Sequence, residues 1–196
     1  MDRTRQVTVA VATDEERAGL ALLAARAMRD NPLHVAALGP DTGRRVEVVR
    51  RVFTVLLDAR EILTARVEGR VVGLAAYLSP PHTTPRPGEL LRLVPALARA
   101  GARAPRLARW FAAWTRRDPA APHSHLGPVA VADAAQGQGV GSALLRRYVE
   151  MLDERGESGY LETDRSAAAR LYRRFGFEVV GEHEVLRVRT CFMTRP

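Results

Sequence analysis

The chain contains no lysine; all 30 of its basic residues are arginine, set against 22 acidic residues for a formal charge of +8. A P-loop ATPase needs a lysine to reach the phosphates, and Schiff-base and pyridoxal-phosphate enzymes need a nucleophilic lysine, so these chemistries are excluded. The single cysteine, Cys191, can form neither an internal disulfide nor a cysteine-rich zinc site. No run of roughly 18 apolar residues is present to cross a membrane. The charged start MDRTRQVTVAVATDEE lacks the apolar stretch of a signal peptide. Aromatics are sparse at 6%, and acids are interspersed with the arginines, which favours a solvated surface over a nucleic-acid footprint. A cytoplasmic protein with no membrane or nucleic-acid partner is expected.

What remains is ample for a packed core: 196 residues, 46% hydrophobic, read as one domain over 1–196. Gln6 to Ala12 is a β-rich first strand. Thr13 with Glu16 forms a capping-box pattern that opens a helix running to about Met28. Residues 30–41 read as a turn-rich break and Arg45 to Ala59 as a second helix. Strands at 62–67 and 70–78 flank a Glu68-Gly69 hairpin turn. Residues 82–122 form a helical insert interrupted at Pro95 and Pro105. In it Leu107, Trp110, Phe111 and Trp114 make an amphipathic stripe. That stripe either packs on the sheet or walls a substrate pocket with Trp110 or Trp114. Then follow a strand from His125, a Gly-rich turn, a helix with Val140, Leu144, Leu145, Tyr148, Met151 and Leu152 on one face, a strand at 159–163, a short helix ending at Gly176, and two closing strands. The fold class is α/β (α+β), with a helical insert before the fourth strand.

The informative segment is Gln136-Gly137-Gln138-Gly139-Val140-Gly141-Ser142, between a strand and a helix. Its glycines open the backbone to a ligand, and the first helical N–H groups favour an anion, with a diphosphate as the natural guest. A Rossmann fingerprint fails because its third glycine position is Ser142. The pattern Q/R-x-x-G-x-G/A, met by Gln136, Gly139 and Gly141, resembles the acetyl-coenzyme A motif of the GNAT N-acetyltransferases. The stretch LETDRSAAARLYRRFGFEVVGE and the ending CFMTR resemble later segments of that family. The layout is similar to the branch that contains puromycin N-acetyltransferase.

The resemblance implies a mixed central sheet with splayed parallel strands at 125–131 and 159–163. Pantetheine would lie along the backbone of Val129, Ala130 and Val131. The pyrophosphate would lie on amides from Gln138 through Gly139, Val140, Gly141 and Ser142, with Gln136 at the loop entry and Gly137 as a backbone contact. It implies an N-acetyltransferase in which a neutral amine of a small molecule, an antibiotic or a metabolite, attacks the thioester directly through a tetrahedral intermediate. Tyr172 matches the family tyrosine that protonates the leaving thiolate. Glu162, a charge in an otherwise apolar strand, is the best carboxylate for the base, the alternative being a salt bridge. His123 and His125 at the strand entry are candidate acceptor-site residues. His34 and His183 read as structural, and His82 is uninformative. Arg165 stands where the family often has Asn and is suited to a coenzyme A phosphate; Ala168 loses a contact there. No H-E-x-x-H or paired-cysteine spacing exists, so no metal is expected. The alternatives are a protein or peptide amine acetyltransferase, and a non-catalytic acyl-coenzyme A-binding regulator. A homodimer, common in the family, is left open.

Overall fold

A computed structural model describes residues 6–80 and 87–196. Residues 82–86 of the expected insert, His82 among them, lie outside the described residues. The chain opens with β1 (Val7–Val11) and α1 (Asp14–Ala27). The predicted capping box is present in both directions: Glu16 N–H donates to Thr13 Oγ1 at 3.4 Å, and Thr13 N–H donates to the Glu16 carboxylate at 2.9 Å. The break expected at 30–41 instead holds a short helix, α2 (Pro32–Leu38). Pro32 sits in its first turn, where a missing N–H costs nothing, and Leu33, His34, Ala37 and Leu38 are buried. Seven residues are too few to show a helical period, so the Asn-Pro turn signal dominates the sequence.

Next come α3 (Thr42–Asp58), capped by Asp41, and the hairpin β2 (Glu61–Val67) and β3 (Arg70–Leu78). The hairpin turns at Glu68 and Gly69, both at positive φ. The insert contains α4 (Pro87–Arg92), α5 (Val94–Ala100) and α6 (Ala104–Thr115). Pro95 and Pro105 lie in first turns, so they start helices rather than break them. The chain closes with β4 (Ser124–Val131), α7 (Val140–Arg155), β5 (Gly159–Thr163), α8 (Ser166–Arg173), β6 (Glu178–Val185) and β7 (Val188–Arg195).

The seven strands form one sheet in the order β1-β2-β3-β4-β5-β7-β6. All neighbours are antiparallel except β4 and β5. Helices cover both faces. Ile62, Leu74, Ala76 and Ala130 face α1, α2, α3, α5 and α6. Leu63, Ala75, Tyr77, Leu126, Leu161 and Met193 face α7 and α8. This two-sided burial explains why β3 is apolar almost throughout rather than alternating. All six apolar residues predicted for one face of α7 are buried. Tyr148 also fixes α7 to the start of β4, its hydroxyl lying 3.0 Å from Ser124 Oγ and 3.2 Å from the Ser124 carbonyl.

Two glycines should respond oppositely to alanine. A Cβ at Gly159 would stand 2.8 Å from Leu152 Cδ1 and 3.0 Å from the buried Phe177 ring, whereas one at Gly19, in α1, would meet nothing within 4 Å. Gly159→Ala is expected to lower stability by about 1–3 kcal/mol through overpacking. Gly19→Ala is expected to raise it by about 0.5–1 kcal/mol through helix propensity. Urea unfolding at unchanged m-value checks both.

Candidate active site

β4 and β5 pair at only two positions, Ser124 with Gly159 and His125 with Tyr160, and then diverge. β4 stays paired with β3 as far as Val131, across a register shift between Ala75 and Tyr77, and Ala132 N–H donates to the Val72 carbonyl at 2.8 Å. Successive amides of a strand point to opposite sides. The amides of Ala132 and Ala130 therefore face β3, and those of Val129 and Val131 face the gap. This supports the backbone roles expected for Val129 and Val131 and corrects the one expected for Ala130, whose side chain is buried in the core.

Past β4 the chain makes a 3-10 turn at Asp133–Ala135. The side chain of Gln136 donates to the Val131 carbonyl (3.1 Å) and to Asp133 (3.3 Å), and that of Gln138 donates to the Ala134 carbonyl (2.7 Å). Both glutamine side chains thus brace the loop, a duty the motif alone does not reveal. Gly137 and Gly139 have φ of 76° and 80°, conformations that side chains rarely tolerate, and a Cβ on either would meet no protein atom within 4 Å. Gly141 differs: its φ is ordinary, and a Cβ there would make only ordinary contacts, 3.4 Å from Leu171 of α8 and 3.9 Å from Val131. Gly137 and Gly139 are thus the two positions where the backbone conformation itself favours glycine, while Gly141 sits in the first turn of α7 beside Leu171. The first α7 amide bonded to the cap is Ala143, which donates to the Gly139 carbonyl at 2.9 Å. The N–H groups of Val140, Gly141 and Ser142 precede it and have no intrahelical acceptor. Arg174 donates to Ser142 Oγ at 3.2 Å, placing a guanidinium at this helix end that the sequence reading missed.

A cleft of about 460 Å³ lies beside this loop, lined by Arg29, Asn31, Asp133, Gln136, Asp164 and Arg165 among others. Gln136 and Arg165, 29 residues apart in the chain, therefore share one cavity. An Arg29–Asp133 ion pair of 2.7 Å and a bond from Leu33 N–H to Asp164 (2.6 Å) frame it. Arg45, only 3% exposed, holds the same region by donating to the carbonyls of Arg29 and Gly39 and to Asp30 and Thr42.

Tyr172 and Glu162 lie on opposite faces of β5. Tyr172 is 8% exposed, packs edge-on against Phe177, and its hydroxyl has no hydrogen-bond partner among the described residues. Burial, reinforced by the Asp164 carboxylate, pushes the phenol above its usual range. Glu162 stands on the other face with its side chain 3% exposed. Its Oε2 lies 3.0 Å from His125 Nε2, while its Oε1 is buried without a partner. The other nitrogen of His125 is 3.3 Å from Asp118 Oδ1, which is also 3.3 Å from His123 Nε2. Burial works against a charged His125, but the Glu162 and Asp118 carboxylates on its two sides outweigh it and raise its pKa to about 9. Asp118 is partly buried, yet the two imidazoles hold it well below the carboxylate range. Sequence reasoning missed Asp118, which sits in a turn after α6 with no motif around it.

The aromatic wall is corrected. Trp110 is 5% exposed and contacts His34, Phe111 and Trp114, with ring centroids 5.2 to 5.6 Å apart. Trp114 is half-buried against the same core. An amphipathic stripe has the same period whether it meets a core or a ligand, and here it meets the core. His123 is likewise closed off: it is 3% exposed, and its Nδ1 lies 2.9 Å from the Ala121 carbonyl.

No curated protein sequence matches the chain. Among solved structures, a histone acetyltransferase HPA2 and related acetyltransferase from Corynebacterium glutamicum is similar, at 28% identity and a TM-score of 0.73, with 97% of this chain and 96% of that one covered. An agmatine N-acetyltransferase shares the fold at 16% identity, TM-score 0.63, over 96% and 98% of the two chains. So does a ribosomal-protein-alanine N-acetyltransferase from Brucella melitensis, at 22% identity, TM-score 0.56, over 96% and 98%. A sequence profile of the Acetyltransferase (GNAT) family matches residues 38–177. With the splayed strands and the glycine loop, that match identifies the chain as a member of the GNAT family, an N-acetyltransferase that uses acetyl-coenzyme A.

Proposed function

We propose that the chain acetylates a primary amine of a small molecule, such as an antibiotic or a metabolite. The observation that carries this reading is the closure of the acceptor face. The turn after α6 lies across it: Tyr160 donates to the Arg117 carbonyl at 3.1 Å, Asp118 meets both His123 and His125, and Glu162 is left 3% exposed. A protein or peptide substrate needs an open groove, and a covered carboxylate suits a compact amine.

Acetyl-coenzyme A supplies the thioester acyl group. In this reading the amides of Val129 and Val131 hold its pantetheine arm, and those of Val140, Gly141 and Ser142 at the start of α7 hold its pyrophosphate, with Arg165 and Arg174 adding charge. Glu162 Oε1 accepts the amine proton while Oε2 stays on His125, and backbone amides near Val129 stabilise the developing oxyanion. Tyr172 holds a proton for the leaving thiolate. Its raised pKa keeps it protonated at working pH, and the burial that weakens it as an acid also destabilises the thiolate it must quench.

Three results are expected. In a thiol-release assay over a panel of amines that includes puromycin and an N-terminal peptide, a small amine should give the highest kcat/KM, and a peptide that outcompetes every small amine would overturn the acceptor assignment. On the best amine, Tyr172→Phe should lower kcat by about 10²–10⁴-fold with coenzyme A affinity unchanged; equal turnover would remove Tyr172 from the acid role. By calorimetry, Gly139→Val should lose coenzyme A binding, because a β-branched residue is strained at φ 80° and its methyls would stand over the helix amides. Unchanged affinity would refute the phosphate placement.

A further inference from the structure

We infer that Asp118, His123 and His125 form a binding site for a divalent transition-metal ion, best suited to zinc. Asp118 Oδ1, His123 Nε2 and His125 Nδ1 lie within 4.8 Å of one another. All three atoms are buried, and none makes a hydrogen bond. The 3.3 Å separations of Asp118 Oδ1 from each imidazole nitrogen exceed the usual length of about 2.9 Å for an N–H···O bond. They match the edge, about 3.3 Å, of a tetrahedron whose centre holds an ion with bonds of about 2.0–2.1 Å to N and O.

The proton positions favour the same occupant. His123 Nδ1 lies 2.9 Å from the Ala121 carbonyl, which can only accept, so the proton of a neutral His123 belongs on Nδ1 and Nε2 carries a lone pair. His125 Nε2 lies 3.0 Å from Glu162, so a ring that binds an ion through Nδ1 keeps its remaining proton on Nε2. An ion bound here would displace the proton that the flanking Asp118 and Glu162 carboxylates favour on His125, and two ring nitrogens and one carboxylate oxygen would then converge on it. Metal-bound histidines commonly donate their other N–H to a backbone carbonyl or a carboxylate, and Ala121 and Glu162 are those partners here. Two imidazoles and one carboxylate suit zinc, and three protein ligands leave a fourth position for water. Residues 123 and 125 are two apart across the start of a strand, so their side chains share one face, and Asp118 reaches that face from the turn after α6. The expectation of no metal came from linear spacings and does not cover ligands brought together from a turn and a strand. An ion here would pin the end of the insert to β4. The inference is independent of the acceptor assignment.

The test uses the full chain without affinity-tag histidines, freed of metal by chelation and titrated with Zn²⁺ by calorimetry and with Co²⁺ by visible absorption. One ion per chain is expected, with the intense Co²⁺ bands of four-coordinate geometry. Asp118→Asn and His123→Gln should each abolish those bands while retaining the near-ultraviolet dichroism of the fold. Glu162→Gln, which alters only a partner of a ligand, should weaken Zn²⁺ binding by about 10–100-fold. No stoichiometric binding by the unsubstituted chain, or only weak six-coordinate bands, overturns the site even where the variants do not fold. So does retention of four-coordinate bands in either folded ligand variant.

Discussion

The structure depends on the divergence of β4 from β5. Backbone amides inside a sheet require partners, and a gap between central strands leaves a row of them without any. The gap persists because each strand is anchored on its far side: β4 by its ladder to β3, and β5 by five consecutive register positions with β7. Gly73 then sets how closely the start of α7 approaches the sheet. A Cβ there would stand 3.0 Å from Val140 and 3.3 Å from Leu144, so only glycine lets the first turn of α7 lie this close to β3 and β4. The N-terminal end of α7 is thereby held beside the same strand whose amides face the opening.

What was legible in the sequence is what local chemistry specifies. The Thr13–Glu16 capping box, the apolar face of α7 and the glycine loop are contiguous patterns whose meaning does not depend on distant residues, and each was found where it was expected. α2 escaped because a helix of two turns has no period to display. Arg45 escaped because an arginine reads as surface, and only the converging carbonyls of Arg29 and Gly39 make its burial tolerable. The two halves of the site differed for the same reason. The glycine loop and the strand before it lie in one stretch of chain, whereas the proposed acceptor half is assembled from residues 118, 123–125 and 160–162, whose proximity is a product of topology.

The basic surplus also acquires a structural account. Several arginines act as multi-donor braces rather than as free charge: Arg66 bonds to Glu16, Arg155 to Glu61, and Arg195 pairs with Asp153, while Arg117 lies over the Phe192 ring. Exposed pairs of this kind stabilise by at most about 1 kcal/mol each. Their consequence is placement. Arg195 at the end of β7 and Arg155 at the end of α7 tie the sheet to the helix whose other end carries the glycine loop, a job for which a planar guanidinium is better suited than an ammonium.

Buried polar atoms without partners are costly, at about 1–3 kcal/mol each, so their distribution is informative. Four of those among the described residues, Asp118 Oδ1, His123 Nε2, His125 Nδ1 and Glu162 Oε1, gather around the first residues of β4. Chance misfits would be scattered through the core, whereas a cluster at the point where the central strands part marks a place completed by something other than the chain. The orphan atoms fall into two sets. Three converge on one point and suit an ion; the fourth belongs to the same carboxylate that steadies His125 and suits an amine. His125 joins the two sets, because its Nδ1 faces Asp118 while its Nε2 lies 3.0 Å from Glu162. The stability forgone at this spot is thus the physical counterpart of its capacity to bind.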